Sequence, residues 1–181
     1  MNEKPSKFSA AASAAGYLYQ ARLALAEALR FAYTDSGVEV AIERFDDVSF
    51  EKDATPIEML QTKHHISKEG DLTDASPDLW KTLRIWAEKV KLDPSLPSRT
   101  RFALVTTASA PEESAAAMLR PSMPRSARDL EQAVTLLTTA AGKSKSRSLK
   151  SAFEAFLSLA PKMQHSPVSY THLTLPTNRE V

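Results

Sequence analysis

From Val38 to His65 the chain carries three short stretches that change sides at almost every residue. In Val38-Glu39-Val40-Ala41-Ile42-Glu43 the apolar Val38, Val40 and Ile42 fall on one face, and Glu39, Ala41 and Glu43 on the other. Val48 and Phe50 then oppose Asp47, Ser49 and Glu51 within Asp46 to Glu51. From Ile57 to His64, Met59, Gln61 and Lys63 oppose Glu58, Leu60 and Thr62. A period of two belongs to extended chain, whose successive side chains point to opposite faces of a sheet. Three strands are expected, punctuated by Asp35-Ser36-Gly37 and by a turn from Lys52 to Pro56, and the short link between the first two favours a hairpin.

On either side the spacing becomes helical. Ser9 to Tyr33 is rich in alanine and leucine, with Leu18, Leu25 and Leu29 on one helical face and Ala21, Ala24 and Ala28 on an adjacent one that can lie close to a sheet. Ser76-Pro77-Asp78 combines a capping hydroxyl, a proline at the first helical position and a carboxylate at the positive end of the dipole. Leu79, Leu83, Trp86 and Val90 form the buried stripe of that helix, leaving Trp80, Lys81, Arg84 and Lys89 for its other faces. Pro94 and Pro97 close it, and the apolar run Phe102-Ala103-Leu104-Val105 reads as a buried strand reached by a helical crossover. Ser109-Ala110-Pro111-Glu112 reads as the start of a short helix reaching about Leu119. Ser126 is expected to cap a further helix with Leu130, Val134 and Leu137 inward and Gly142 at its end. A basic loop, Lys143 to Arg147, and a last helix with Phe153, Phe156 and Leu157 follow. The order implies an α/β fold: a mixed central sheet in an αβββαβ core with C-terminal helices.

Composition narrows the classes. With 181 residues, 43% of them hydrophobic, the chain suits one domain better than two. No apolar run is long enough to span a membrane, and Met1-Asn2-Glu3-Lys4-Pro5 lacks a secretory pattern. The absence of cysteine excludes disulfides and thiolate metal sites and fits a cytoplasmic protein. The segment Val168 to Thr177 looks like the conceptual translation of a transposase sequencing adapter, whose bases can encode it without a mismatch. On that reading residues 168–181 are an artefact, the natural chain departs from this sequence near Pro167 with its C-terminal region missing, and residues 1–165 form the domain.

The strand ends carry the chemistry. Phosphodiester hydrolysis needs a hard cation, Mg2+ or Mn2+, to offset phosphoryl charge, and oxygen donors to hold it. Asp47 is the best ligand candidate, with Glu43 or Asp46 as a second. Gln61 offers a neutral oxygen, and Lys63, on the same strand face, can orient a water and stabilise developing charge. Gln20 on the first helix and the cations Lys81 and Arg84 on the second are candidate substrate contacts. Plainer readings exist for all of them: acidic pairs at strand ends are commonly solvated turns, and lysines are commonly surface. His64-His65 points to opposite faces of a strand and has no cysteine or helical histidine to make a zinc site.

Taken together, Gly16-Tyr17-Leu18-Tyr19-Gln20, Ile42 to Glu51, Leu60-Gln61-Thr62-Lys63-His64-His65 and Leu72 to Arg84 resemble the N-terminal double-stranded-DNA endonuclease domain of bacterial antiphage effectors. That family includes the nuclease associated with cyclic-oligonucleotide synthases and related proteins of three-component ATPase defence systems, within the PD-(D/E)XK superfamily. The resemblance spans roughly residues 10 to 165. It implies that Asp47 is the metal-binding aspartate, Gln61 stands at the variable acidic position and Lys63 is the catalytic lysine. It further implies double-stranded DNA as substrate, defence-system proteins as partners, homo-oligomers among the possible assemblies, and a C-terminal sensing or partner-binding region. The competing expectation is a non-catalytic module that uses the same frame to bind DNA or a partner.

Overall fold

The computed structural model describes residues 10–35, 37–63, 70–120, 129–159, 161, 164 and 172–174. The elements are α1 (Ala10–Ala32), β1 (Glu39–Ile42), β2 (Val48–Lys52), β3 (Thr55–Lys63), α2 (Pro77–Leu92), β4 (Arg101–Thr106), α3 (Ala115–Met118), α4 (Leu130–Lys143), α5 (Lys150–Leu157) and the short β5 (His172–Thr174). The chain is a mixed α/β protein. Strand order in the sheet follows the sequence: β1, β2 and β3 pair antiparallel, and β3–β4 and β4–β5 pair parallel. The parallel β3–β4 step needs a crossover, which α2 supplies. The three residues of β5 add to the outer edge of β4, where unpaired backbone groups accept any extended segment.

Each face of the sheet buries its own core. Val48, Phe50, Leu60 and Ala103 pack against Ala24, Leu23, Ala28 and Phe31 of α1, where small alanines allow close approach. Met59, Phe102 and Leu104 face the other way, against Leu79, Leu83, Trp86 and Val90 of α2 and a layer formed by α3, α4 and α5. Both sides of the β3–β4 centre are therefore covered, as the continuous apolar run in β4 requires. Glu58 is buried beneath α1 and paired with Arg101 and, at 3.5 Å, with Arg30. Burial outweighs both arginines and holds its carboxyl above the usual range.

Several expectations change. Trp80 is fully buried, not left on a free face, because α2 lies in a middle layer. Its ring meets Phe153 and Phe156 of α5 edge-on, with centroids 4.6 and 5.8 Å away, and its Nε1 donates to the Asp74 carbonyl at 2.6 Å. Ser76 stands at the N-cap of α2 but its hydroxyl makes no capping bond. The short helix begins after Ser114, whose hydroxyl accepts from Ala117 N. Ser109 cannot start it, because its backbone is already bridged to residues 70–72. Asp129 caps α4, Gly142 lies inside that helix, and Ser126 falls outside the described residues. Among the described residues no helix is long and apolar enough to cross a membrane.

The β2–β3 hairpin turns through Asp53 (φ 51°) and Ala54 (φ 58°), two consecutive left-handed residues between the paired Lys52 and Thr55. This is the conformation of a two-residue turn that glycine and asparagine favour, and an alanine there is strained. Ala54→Gly is expected to raise stability by about 1 kcal/mol, seen as a higher urea midpoint at unchanged m-value. A lower midpoint would contradict the turn assignment.

Candidate functional site

Residues 43–47 link β1 to β2 outside strand geometry. Glu43 takes a left-handed backbone (φ 58°), and its N–H donates to the Asp47 carbonyl at 3.1 Å. That closure delivers Asp46 and Asp47 to the end of β3. Val48 pairs with Leu60, so the two aspartates arrive opposite Gln61 and Thr62.

Asp47 and Asp46 are then held differently. Asp47 Oδ2 accepts from Thr62 N at 2.7 Å and Thr62 Oγ1 at 2.9 Å, so the carboxylate takes a ladder position where β2 has not yet begun. Its Oδ1 accepts from Gln61 Nε2 at 3.1 Å. Asp46 is only 8% exposed. Its Oδ1 accepts from Gln61 Nε2 and from Asp47 N at 3.2 Å, and its Oδ2 accepts from the indole Nε1 of Trp86 at 3.1 Å. Lys63 Nζ donates to Gln61 Oε1 at 3.1 Å, as expected for residues i and i+2 on one strand face. Asp46, Asp47, Gln61 and Lys63 thus form one connected network.

Glu43 is exposed and enters this arrangement through its backbone; none of the hydrogen bonds joining the cluster uses its carboxylate. Asp46, its alternative, is the second carboxylate of the network. The three candidate substrate contacts lie outside it. Gln20 is half-buried on α1, Lys81 is exposed, and Arg84 leans toward α5, with Nη1 3.4 Å from Ser151 Oγ. His64 and His65 fall outside the described residues. Sequence reading passed over Thr62 and the part played by Trp86. A buried tryptophan requires an acceptor for its N–H, and that was the available signal for Trp86. Lys89, one turn after Trp86, is the α2 cation whose charge reaches Asp46.

Among the described residues no three histidine, cysteine, aspartate or glutamate side chains gather as a metal-binding group. The donor set is instead two carboxylates and one amide. Hard oxygen donors of this kind fit Mg2+ or Mn2+, which are held by one or two carboxylates and otherwise keep water. Gln61 Nε2 occupies the space between the two carboxylates; exchanging the amide nitrogen and oxygen would turn a third oxygen toward it and break the bond from Lys63 Nζ. Comparison with known proteins adds no relative: no family model, curated protein or solved structure matches the chain.

Burial, the largest influence, lifts the Asp46 carboxyl from 3.8 to about 6. The Asp47 charge pushes the same way, while the bonds from Trp86 and Gln61 and the charge of Lys89 oppose it. Between about pH 4 and pH 6 the folded chain keeps a proton that the unfolded chain has released. Stability from this group is therefore lost as pH rises through that window, by up to about 3 kcal/mol. Urea unfolding at both ends of the window should show Asp46→Asn gaining on the parent as pH rises. An equal pH dependence in parent and variant would contradict a proton held at Asp46.

Proposed function

We propose that this chain is a magnesium-dependent endonuclease domain that cuts double-stranded DNA in bacterial antiphage defence, built on a restriction-endonuclease-like core. The observation that carries the reading is the convergence of Asp47, Gln61 and Lys63, with Asp46 beside them, at adjoining ends of β2 and β3. The αβββαβ order, with antiparallel β1–β3 and a parallel β4, supports it.

Asp46 and Asp47 would hold the cation, and the Gln61 amide oxygen would join them once the amide turns and releases Lys63. Magnesium, when bound, neutralises phosphoryl charge and makes hydroxide available near neutral pH. Asp47 serves as a fixed ligand because Thr62 anchors one of its oxygens and leaves the other toward Gln61. Asp46 is set from behind by Trp86. The Lys63 ammonium orients the attacking water and offsets charge that grows on the phosphoryl oxygens. Water oxygen bonds to phosphorus, the P–O bond to the departing sugar oxygen breaks, and that oxygen leaves protonated.

One observation favours a second reading, a non-catalytic module that binds DNA or a partner. Gln61 stands where a further acid would strengthen cation binding, and its amide satisfies both carboxylates without a metal. Plasmid nicking and linearisation with Mg2+, in the presence of the chain's partners, separates the two. Catalysis predicts that Asp47→Ala and Lys63→Ala each lower the rate about a hundredfold or more, and that Gln61→Glu lowers the Mg2+ concentration required. The binding module predicts DNA retention indifferent to chelator and no cleavage by parent or Gln61→Glu.

A further inference from the structure

Gln61 stands at the centre of the cluster and uses both ends of its amide. Each aspartate commits one oxygen elsewhere: Asp47 Oδ2 accepts from Thr62 N and Oγ1, and Asp46 Oδ2 accepts from Trp86 Nε1. The other oxygen of each, Oδ1, accepts from one shared donor, Gln61 Nε2. At its far end the amide oxygen accepts from Lys63 Nζ at 3.1 Å. The neighbours dictate this orientation, since the reverse would set an oxygen against two carboxylates and an N–H against an ammonium. Gln61 is 3% exposed, so packing holds its stem, and the change open to the amide in place is a half-turn about its last bond.

We propose that Gln61 makes Lys63 available only when the site holds a divalent cation. The inference rests on the cation reading of Asp46 and Asp47. In the empty site the amide N–H groups stand in for the cation between the carboxylates, and the amide oxygen keeps the Lys63 ammonium bound. In the occupied site Nε2 has to leave that space, because an N–H and a cation compete for the same two oxygens. The half-turn that removes it presents the amide oxygen to the cation and an N–H to Lys63, a side chain with no acceptor to offer. Lys63 is then released toward water or phosphate. Glutamine is what makes the lysine conditional. A glutamate at position 61 has an oxygen at each end, so it would add charge to the empty site and hold Lys63 whether or not a cation were present.

The test uses the full chain, isotopically labelled at glutamine and freed of metal with chelator, then titrated with Mg2+ while calorimetry follows binding. Gln20 and Gln132 serve as internal references. The Gln61 amide protons are expected to begin downfield and protected from exchange, as bonds to buried carboxylates require. Both properties should fade as Mg2+ saturates the site, with Gln20 and Gln132 unmoved. A double-mutant cycle reads the bond to Lys63. Lys63→Met should raise Mg2+ affinity about tenfold more in the parent than in a Gln61→Met chain of unchanged circular dichroism, where only the lysine charge is at stake. Saturation by Mg2+ with the Gln61 signals unmoved, or equal effects of Lys63→Met in the two chains, would overturn the proposal and leave the cation reading standing. A chain that binds neither Mg2+ nor Mn2+ would overturn both.

Discussion

A carboxylate buried at 8% exposure has to be surrounded by donors, and the surroundings of Asp46 tie together three parts of the molecule. Trp86 reaches it from α2, Gln61 from β3, and the Asp47 amide from its own loop. Removing any one donor would leave oxygen capacity unmet away from water. The position of α2 over the sheet and the position of the β1–β2 link are therefore coupled through one side chain. That coupling gives the candidate site its rigidity: Asp47 is fixed because the residue before it cannot move. The raised Asp46 carboxyl is the physical signature of the same constraint, since a group comfortable in water would ionise at its ordinary value.

Around this junction the sheet divides the labour between its faces. α1 closes one side with alanines, and the ion pairs of Glu58 with Arg30 and Arg101 fasten that helix to β3 and β4. On the other side α2 is pinned from above by α5, whose phenylalanines hold Trp80. α2 is thus a middle layer, with Trp86 committed to the site and Trp80 to the helices. On the outer flank of α1, Leu18, Leu25 and Leu29 are exposed together on one helix, whereas Val40, Leu92 and Leu157 are exposed on separate elements.

Local periodicity made much of this readable in advance. The strands, the placement of Gln61 and Lys63 on one face, the α2 stripe and the burial of β4 all follow from spacing, because a strand or helix imposes its period on whatever it buries. Reading failed where period ends or where layers stack. Residues 43–47 lie between strands, so alternation could not say whether Glu43 or Asp46 joins Asp47. Trp80 falls off the first apolar stripe and is claimed by a second layer that no single-helix pattern displays. Ser109 carries a sound capping signal, yet its backbone was already taken by a distant bridge. Asp129, not Ser126, caps α4 because only local geometry decides which of several eligible side chains reaches the free amides.

The central claim is that Asp46, Asp47 and Gln61 form a cation site backed by Trp86. The chain has two tryptophans, and they serve as internal reporters at different depths from that site. Trp86 Nε1 lies 3.1 Å from Asp46 Oδ2, whereas Trp80 Nε1 is bonded to the Asp74 carbonyl. Titration with paramagnetic Mn2+, followed by NMR of the two indole N–H signals, tests the site without requiring activity. The account predicts that the Trp86 signal broadens first and strongly, that Trp80 lags behind it, and that Asp47→Ala removes the difference. Equal broadening of both signals, or none at millimolar Mn2+, would contradict a cation site at this junction.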